Sequence, residues 1–225
     1  MSDIDAGRRA PRRDATANRE ALLAAAADTL GEASDAPLER ITSAAGLTRR
    51  AFYGHFANRD ALVVAVIDVG AARLNAVAAA TDHPHAPTAI ALLGARLWGA
   101  VAHVRMLAGM AVREPYAAHA GEALQPVRER LRTLVERGIA EGTVRPDIRP
   151  EVLARLIESA AISVLLEAAA TGIDDVEGRR LVMLAVLGTA GLGWQDSADL
   201  IARAPELSVD GATPAVADDQ QETHA

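Results

Sequence analysis

The chain contains no cysteine. That excludes disulfide bridges and thiolate metal ligands, and it suits a reducing compartment. Lysine is missing too, so all 23 basic residues are arginine. With the heavy use of alanine this reads as the codon bias of a GC-rich genome, and no single arginine is significant merely for being one. No uninterrupted apolar run reaches the ~18 residues of a membrane span; the longest, 181–194, is broken by Gly188, Gly191 and Gly193. An Arg-rich N-terminus is followed by no apolar signal segment. These absences lead to the expectation of a cytoplasmic protein without a membrane partner. Aromatic residues are scarce as well, at 3% of 225 residues.

What the sequence has in abundance is helical periodicity. Ala, Leu, Arg and Glu recur at helical spacing and β-type alternation never persists, so the expected fold class is all-α. The periodicity predicts helices over 14–31, 37–45, 58–80, 88–111, 122–141, 151–170 and 176–194, with an irregular connection at 114–121. Four units are expected: a basic flexible arm (1–13), a small helical domain (14–62), a larger helical domain (63–204) and a disordered acidic tail (205–225). The net charge of −7 is unevenly spread. Residues 1–60 hold nine arginines against nine carboxylates, whereas the remainder holds fourteen against twenty-one. Between Arg40 and Arg59 there are four arginines and no acid, a cationic patch on an acidic body.

Within that patch lies GLTRRAFYGHF, residues 46–56, which holds Phe52, Tyr53 and Phe56, half of all the rings in the chain. Two short helices joined by a turn at Gly46 explain the crowding. Phe52 and Phe56 fall on one face with Ala51 and anchor a miniature core, which in so small a unit needs large side chains. Thr48 and Asn58 stand where N-caps are needed. The opposite face carries Arg49, Arg50, Tyr53, Gly54 and His55. Arginine suits guanine edges in the major groove, and Ala51 and Gly54 let the helix lie close. Thr48, Tyr53, His55 and Arg59 suit backbone phosphates.

At these residues the chain resembles the DNA-binding domain of TetR-type transcriptional repressors. The matching positions are Ile41, Thr42, Ala45-Gly46-Leu47-Thr48, Phe52-Tyr53-Gly54-His55-Phe56, and Asn58-Arg59-Asp60 with Leu62, over about 21–62. Ala36-Pro37 stand where the family often has Thr or Ser opening the second helix, leaving Arg40, Thr42 or Ser43 as candidates for that phosphate contact. Beyond residue 62 the resemblance is to an overall plan, a helical effector-binding and dimerisation domain. It implies a palindromic double-stranded DNA operator, a homodimer and a small hydrophobic effector.

For the effector, Trp98, His103, Met106, Met110 and Tyr116 concentrate bulky, polarisable groups in an Ala-rich chain, on the element where the family builds its site. Arg105 and Arg113 either anchor an acidic group or face water. For the dimer, the last two predicted helices are apolar nearly all round. Leu156, Leu165, Leu166, Leu184, Leu187 and Gly191 are the candidate interface residues. No catalytic motif is present, and neither a cofactor nor a metal is expected; His83 and His85 sit in a Pro-rich loop without partner ligands. The alternative reading is a helical carrier or enzyme whose N-terminal domain only resembles a DNA binder. Residues 8–13, RRAPRR, suit either an arm entering the minor groove or a solvated tail.

Overall fold

The computed structural model describes residues 6–208, with side chains from Asp14 onward. Among the described residues every regular element is helical. The chain runs α1 (Ala6–Glu32), α2 (Leu38–Ala44), α3 (Arg49–Tyr53), α4 (Arg59–Ala79) and α5 (Ala86–Val101). One 3-10 turn, Ala102–Val104, leads into α6 (Arg105–Ala111). Then follow α7 (Ala117–Ala123), α8 (Gln125–Ala140), α9 (Pro150–Thr171), α10 (Asp175–Ala190) and α11 (Trp194–Arg203), with a final 3-10 turn at Pro205–Leu207.

Local chemistry sets the early boundaries. Gly46 takes φ 66° at the bend between α2 and α3, a region open to glycine without steric cost. The Thr48 side chain accepts a hydrogen bond from the Ala51 N–H at 3.1 Å, and Asn58 accepts from the Ala61 N–H at 2.8 Å. Both capping expectations hold.

Several expectations are corrected. The first helix extends back to Ala6, so residues 6–13 are its opening turns rather than an arm. The helix expected over 88–111 is interrupted at Ala102–Val104. The connection at 114–121 contains a helix, α7, entered through a cis Glu114–Pro115 peptide. The last predicted helix stops at Ala190, and a separate helix begins at Trp194. Gly191, at φ 106°, closes α10. The expected tail begins too early: Leu207 is wholly buried against Leu92, Met183 and Leu187. The rest of that tail, from 209 on, lies outside the described residues, as do residues 1–5.

Three apolar clusters hold the chain together. The first joins Leu22, Leu30, Ile41, Phe52, Phe56, Leu62 and Val66 to Leu107, Tyr116 and Ala120. It is continuous across the expected boundary at residue 62, which falls inside α4. The second is built from α5, α8, α9 and α10 around Leu134, Leu153, Ile157 and Val186. In the third, α11 packs Leu200 and Ile201 over α5 and α10. Over 18-residue windows, α4 and the α5–α6 run are apolar enough to suit a bilayer by composition; here both helices line the internal cavity described below.

Candidate nucleic-acid interface and effector cavity

The helix-turn-helix presents one exposed face. Phe52 is buried and packs on Phe56 at a centroid distance of 5.8 Å, while Tyr53 meets Phe52 edge-on at 5.2 Å and stays 53% exposed. Arg49, Arg50 and Gly54 are exposed, and His55 is half-buried. Among the described residues no hydrogen bond or ion pair holds Arg50. Arg49 forms a 2.7 Å ion pair with Glu39 of α2. The Tyr53 hydroxyl and then the Glu39 carboxylate hold its guanidinium above its already high pKa. Arg40 pairs with Glu32 at 2.5 Å.

Two of the expected DNA contacts are differently placed. Thr42 is buried and its hydroxyl donates to the Glu39 carbonyl at 3.2 Å, so it faces its own helix rather than solvent. Arg59 donates through Nη2 to the Ser34 carbonyl at 2.8 Å and through Nε to the Ala36 carbonyl at 3.2 Å. It fastens the start of α4 to the α1–α2 connection instead of reaching outward. Nothing in the local sequence marks this, because its partners lie more than twenty residues away.

The second feature is a cavity of about 550 Å³ lined by α1, α4, α5, α6, α7, α8, α9 and α10. Its wall is mostly Leu, Ile, Val and Ala, including Leu23 of α1, Ile67 and Leu74 of α4, Leu93 of α5, and Ile157 and Leu165 of α9. Such a volume and lining suit a small organic ligand. Of the expected effector contacts, Trp98 and His103 are on the wall, the latter exposed at the rim. Met110 packs toward the first core cluster, Met106 and Arg113 are exposed, and none of the three lines the cavity. Tyr116 is also off the wall: it is buried in the first cluster and its hydroxyl donates to Asp60 at 2.7 Å. Burial, then the Asp60 carboxylate, pushes its pKa up.

Trp98 is tightly fixed. Its indole N–H donates to the Asp175 carbonyl at 3.2 Å, and the Arg105 guanidinium lies 5.5 Å over the ring. Arg105 is ion-paired with Asp175, which settles its role as internal. A Cβ on Gly178 would sit 2.0 Å from the Trp98 ring, so only glycine permits this approach. On the wall the sequence reading missed an ion pair: Arg128 of α8 donates to Glu158 of α9 through Nε and Nη2 at 2.7 and 2.8 Å. Their positions in two separate amphipathic helices gave no signal that they face each other.

The candidate interface residues separate. Leu187 is 0% exposed inside the protomer, so it cannot reach a second subunit, and Leu165 is half-buried with its side chain on the cavity wall. Leu166 packs toward Gly109 of α6, where a Cβ would meet it at 3.7 Å. A Cβ on Gly191 would come within 2.8 Å of Arg145, so that residue faces its own chain. Leu156 remains 44% exposed, Leu184 is half-exposed, and no described residue lies within 4 Å of a Cβ at Gly188. No group of three or more potential metal ligands occurs among the described residues.

An exposed helix-turn-helix joined through a shared helix to an apolar cavity defines an all-helical, helix-turn-helix protein with a ligand-sized chamber. Residues 22–66 match the family described as bacterial regulatory proteins, tetR family, and to that extent the chain is similar to it. Comparison with curated proteins gives no match. Solved structures share the fold at low identity. The transcriptional regulator FadR from Bacillus subtilis, in complex with stearoyl-CoA, is 14% identical with a TM-score of 0.64, over 76% of this chain and 97% of its own. RolR in complex with resorcinol is 18% identical with a TM-score of 0.61, over 88% and 100%. SmeT, the repressor of the Stenotrophomonas maltophilia multidrug efflux pump SmeDEF, is 20% identical with a TM-score of 0.60, over 76% and 87%.

Proposed function

We propose that the protein is a cytoplasmic, homodimeric transcriptional regulator that represses by binding a palindromic operator and leaves it when a small hydrophobic effector fills the cavity. The observation that carries this reading is that one helix serves both sites. The N-terminal end of α4, capped by Asn58, is tied by Arg59 to the α1–α2 connection that leads into the helix-turn-helix, while Ile67, Gly70, Ala71 and Leu74 of the same helix form cavity wall. A ligand pressing on that wall has a differential interaction with two orientations of α4, which is what coupling between the sites requires. Arg50 and, once released from Glu39, Arg49 read base edges; Tyr53, His55 and Arg40 hold phosphates.

Two-fold operator reading needs a dimer. The exposed apolar side chains of Leu156 and Leu184 and the open space over Gly188 support a face on α9 and α10. The matched regulators with stearoyl-CoA and resorcinol support a ligand in the cavity without naming this one. The test is a gel shift with DNA selected from the genome by the purified protein, repeated with a panel of hydrophobic compounds. Sequence-independent binding, or specific binding that no ligand of the cavity relieves, would reject the reading.

A further inference from the structure

The ion pair on the cavity wall sets the chemistry of the ligand, and this inference rests on the cavity being the effector site. Of the charged groups that line the cavity, Glu20, Arg73 and His103 are exposed at its rim. Arg128 and Glu158 sit deeper, with side chains 34% and 22% exposed. Around them are Leu124, Val127, Leu131, Ile157, Ala161 and Ile162, so the pair is a polar island in an apolar surface. Both carboxylate oxygens of Glu158 already accept from Arg128, and Arg128 Nη1 also donates to the Gly121 carbonyl at 3.4 Å. The pair is internally neutral, yet each partner keeps capacity: two guanidinium N–H groups and the remaining carboxylate lone pairs.

We propose that the effector is a neutral hydrophobic molecule whose hydroxyl group docks on the Arg128–Glu158 pair. A hydroxyl is both donor and acceptor. It can donate to Glu158 and accept from Arg128, making charge-assisted hydrogen bonds without disturbing the pair. A ligand carboxylate accepting from the spare N–H groups would have to share one guanidinium with Glu158, setting two like charges side by side in a mostly apolar wall. A ligand cation would compete with Arg128 for Glu158 in the same way. A hydrocarbon would cover the pair and strip water from its spare donors and acceptors while replacing none of them.

The test uses the full chain carrying Trp194→Phe, so that emission reports Trp98 on the cavity wall. Decanol, decanoate, decyltrimethylammonium and decane share a chain length and differ in the head group. Decanol is expected to bind at least about tenfold (~1.4 kcal/mol) more tightly than any of the other three. Glu158→Gln frees the Arg128 charge and is expected to invert the order, with decanoate above decanol. The wild-type ranking stands as a test even if that variant does not fold. Decanoate or decane binding as well as decanol in the wild-type pair overturns the inference while leaving the cavity as the effector site. If none of the four changes Trp98 emission or the melting temperature, the inference and the reading of the cavity fall together.

Discussion

Tyr116 donates its hydroxyl hydrogen bond to Asp60, the residue next to the Arg59 clamp, and so ties the lead-in to α7 to the first turn of α4. Two further contacts run along the same pair of helices: His119 with Asp68 at 2.6 Å, and Asn75 with the Ala123 carbonyl at 3.0 Å. Since Ala120 and Leu124 are cavity wall, α7 connects the ligand chamber with the DNA-binding end of α4. Tyr116→Phe keeps the ring in its cluster and removes only the link. It should lower stability by about 1 kcal/mol, leave ligand affinity unchanged, and weaken the effect of ligand on operator binding. Melting curves, ligand titration and gel shifts separate the three. The raised pKa keeps this contribution fully present below the ordinary tyrosine value of about 10, to be lost as pH rises through the folded-state pKa. Equal ligand responses in Tyr116→Phe and wild type would remove α7 from the coupling route.

Arg59 and Arg50 should respond in opposite ways to truncation. Arg59 gives its guanidinium to two main-chain carbonyls, so Arg59→Ala should destabilise the N-terminal domain by about 1.5–3 kcal/mol for each charge-assisted bond lost without replacement. Arg50 has no partner among the described residues, and Arg50→Ala should leave the melting temperature unchanged. Its effect belongs to DNA: relaxed preference at one base per half-site, worth about 1–3 kcal/mol. An Arg59→Ala protein that melts normally but loses phosphate contacts would return that residue to the interface.

The Glu39 carboxylate holds Arg49 in an ion pair, so on the proposed reading it competes with DNA for that guanidinium. Operator binding therefore has to break or share this pair, next to a phosphate backbone that repels the carboxylate. Glu39→Gln should raise affinity for all sequences and steepen the salt dependence by up to about one counterion per half-site. Weaker binding by Glu39→Gln would mean that the pair positions Arg49 for DNA rather than withholding it.

Leu184 and Leu187 lie three residues apart on α10 and should fail differently. Leu187→Arg places a charge in a closed core and should abolish folding. Leu184→Arg, on the half-exposed side with open space over Gly188, should fold, retain ligand binding and sediment as a monomer with operator affinity lost. A wild-type monomer at micromolar concentration would dispose of the dimer.

These contrasts show where the sequence was legible. Gly46, Thr48 and Asn58 were readable because a turn or a cap depends on a few neighbouring atoms. The faces of α3 followed from periodicity in the same way. Long-range pairing was not readable: Arg59 looks like any exposed arginine until Ser34 and Ala36 arrive beside it. Tyr116 looks like cavity lining until its hydroxyl is seen to donate to Asp60. For α10, an all-round apolar pattern concealed three destinations, since Val186 faces the cavity, Leu187 the core and Leu184 the outside. The separate helix at Trp194 was hidden because the run through Gly191 reads as one apolar stretch, although φ 106° at that glycine ends the helix.

Filling the cavity should separate DNA binding from ligand response. Ala161 is half-buried on α9 and contributes to the wall beside Ile157 and Ile162. Ala161→Phe directs a ring into empty space, so the overpacking cost of about 1–3 kcal/mol that a closed core would incur should be largely avoided. The expected protein melts near the wild-type temperature and binds its operator within about tenfold, since the helix-turn-helix is untouched. It should lose the ability to be released by any ligand of the cavity. In the Trp194→Phe background, Trp98 emission should move toward its ligand-bound value without ligand, because the new ring removes water from the same wall. Trp194 is 78% exposed, and in a Trp98→Phe background its emission should be insensitive to the change. Full ligand release from Ala161→Phe, with Trp98 emission unaltered, would show that the effector binds outside this chamber.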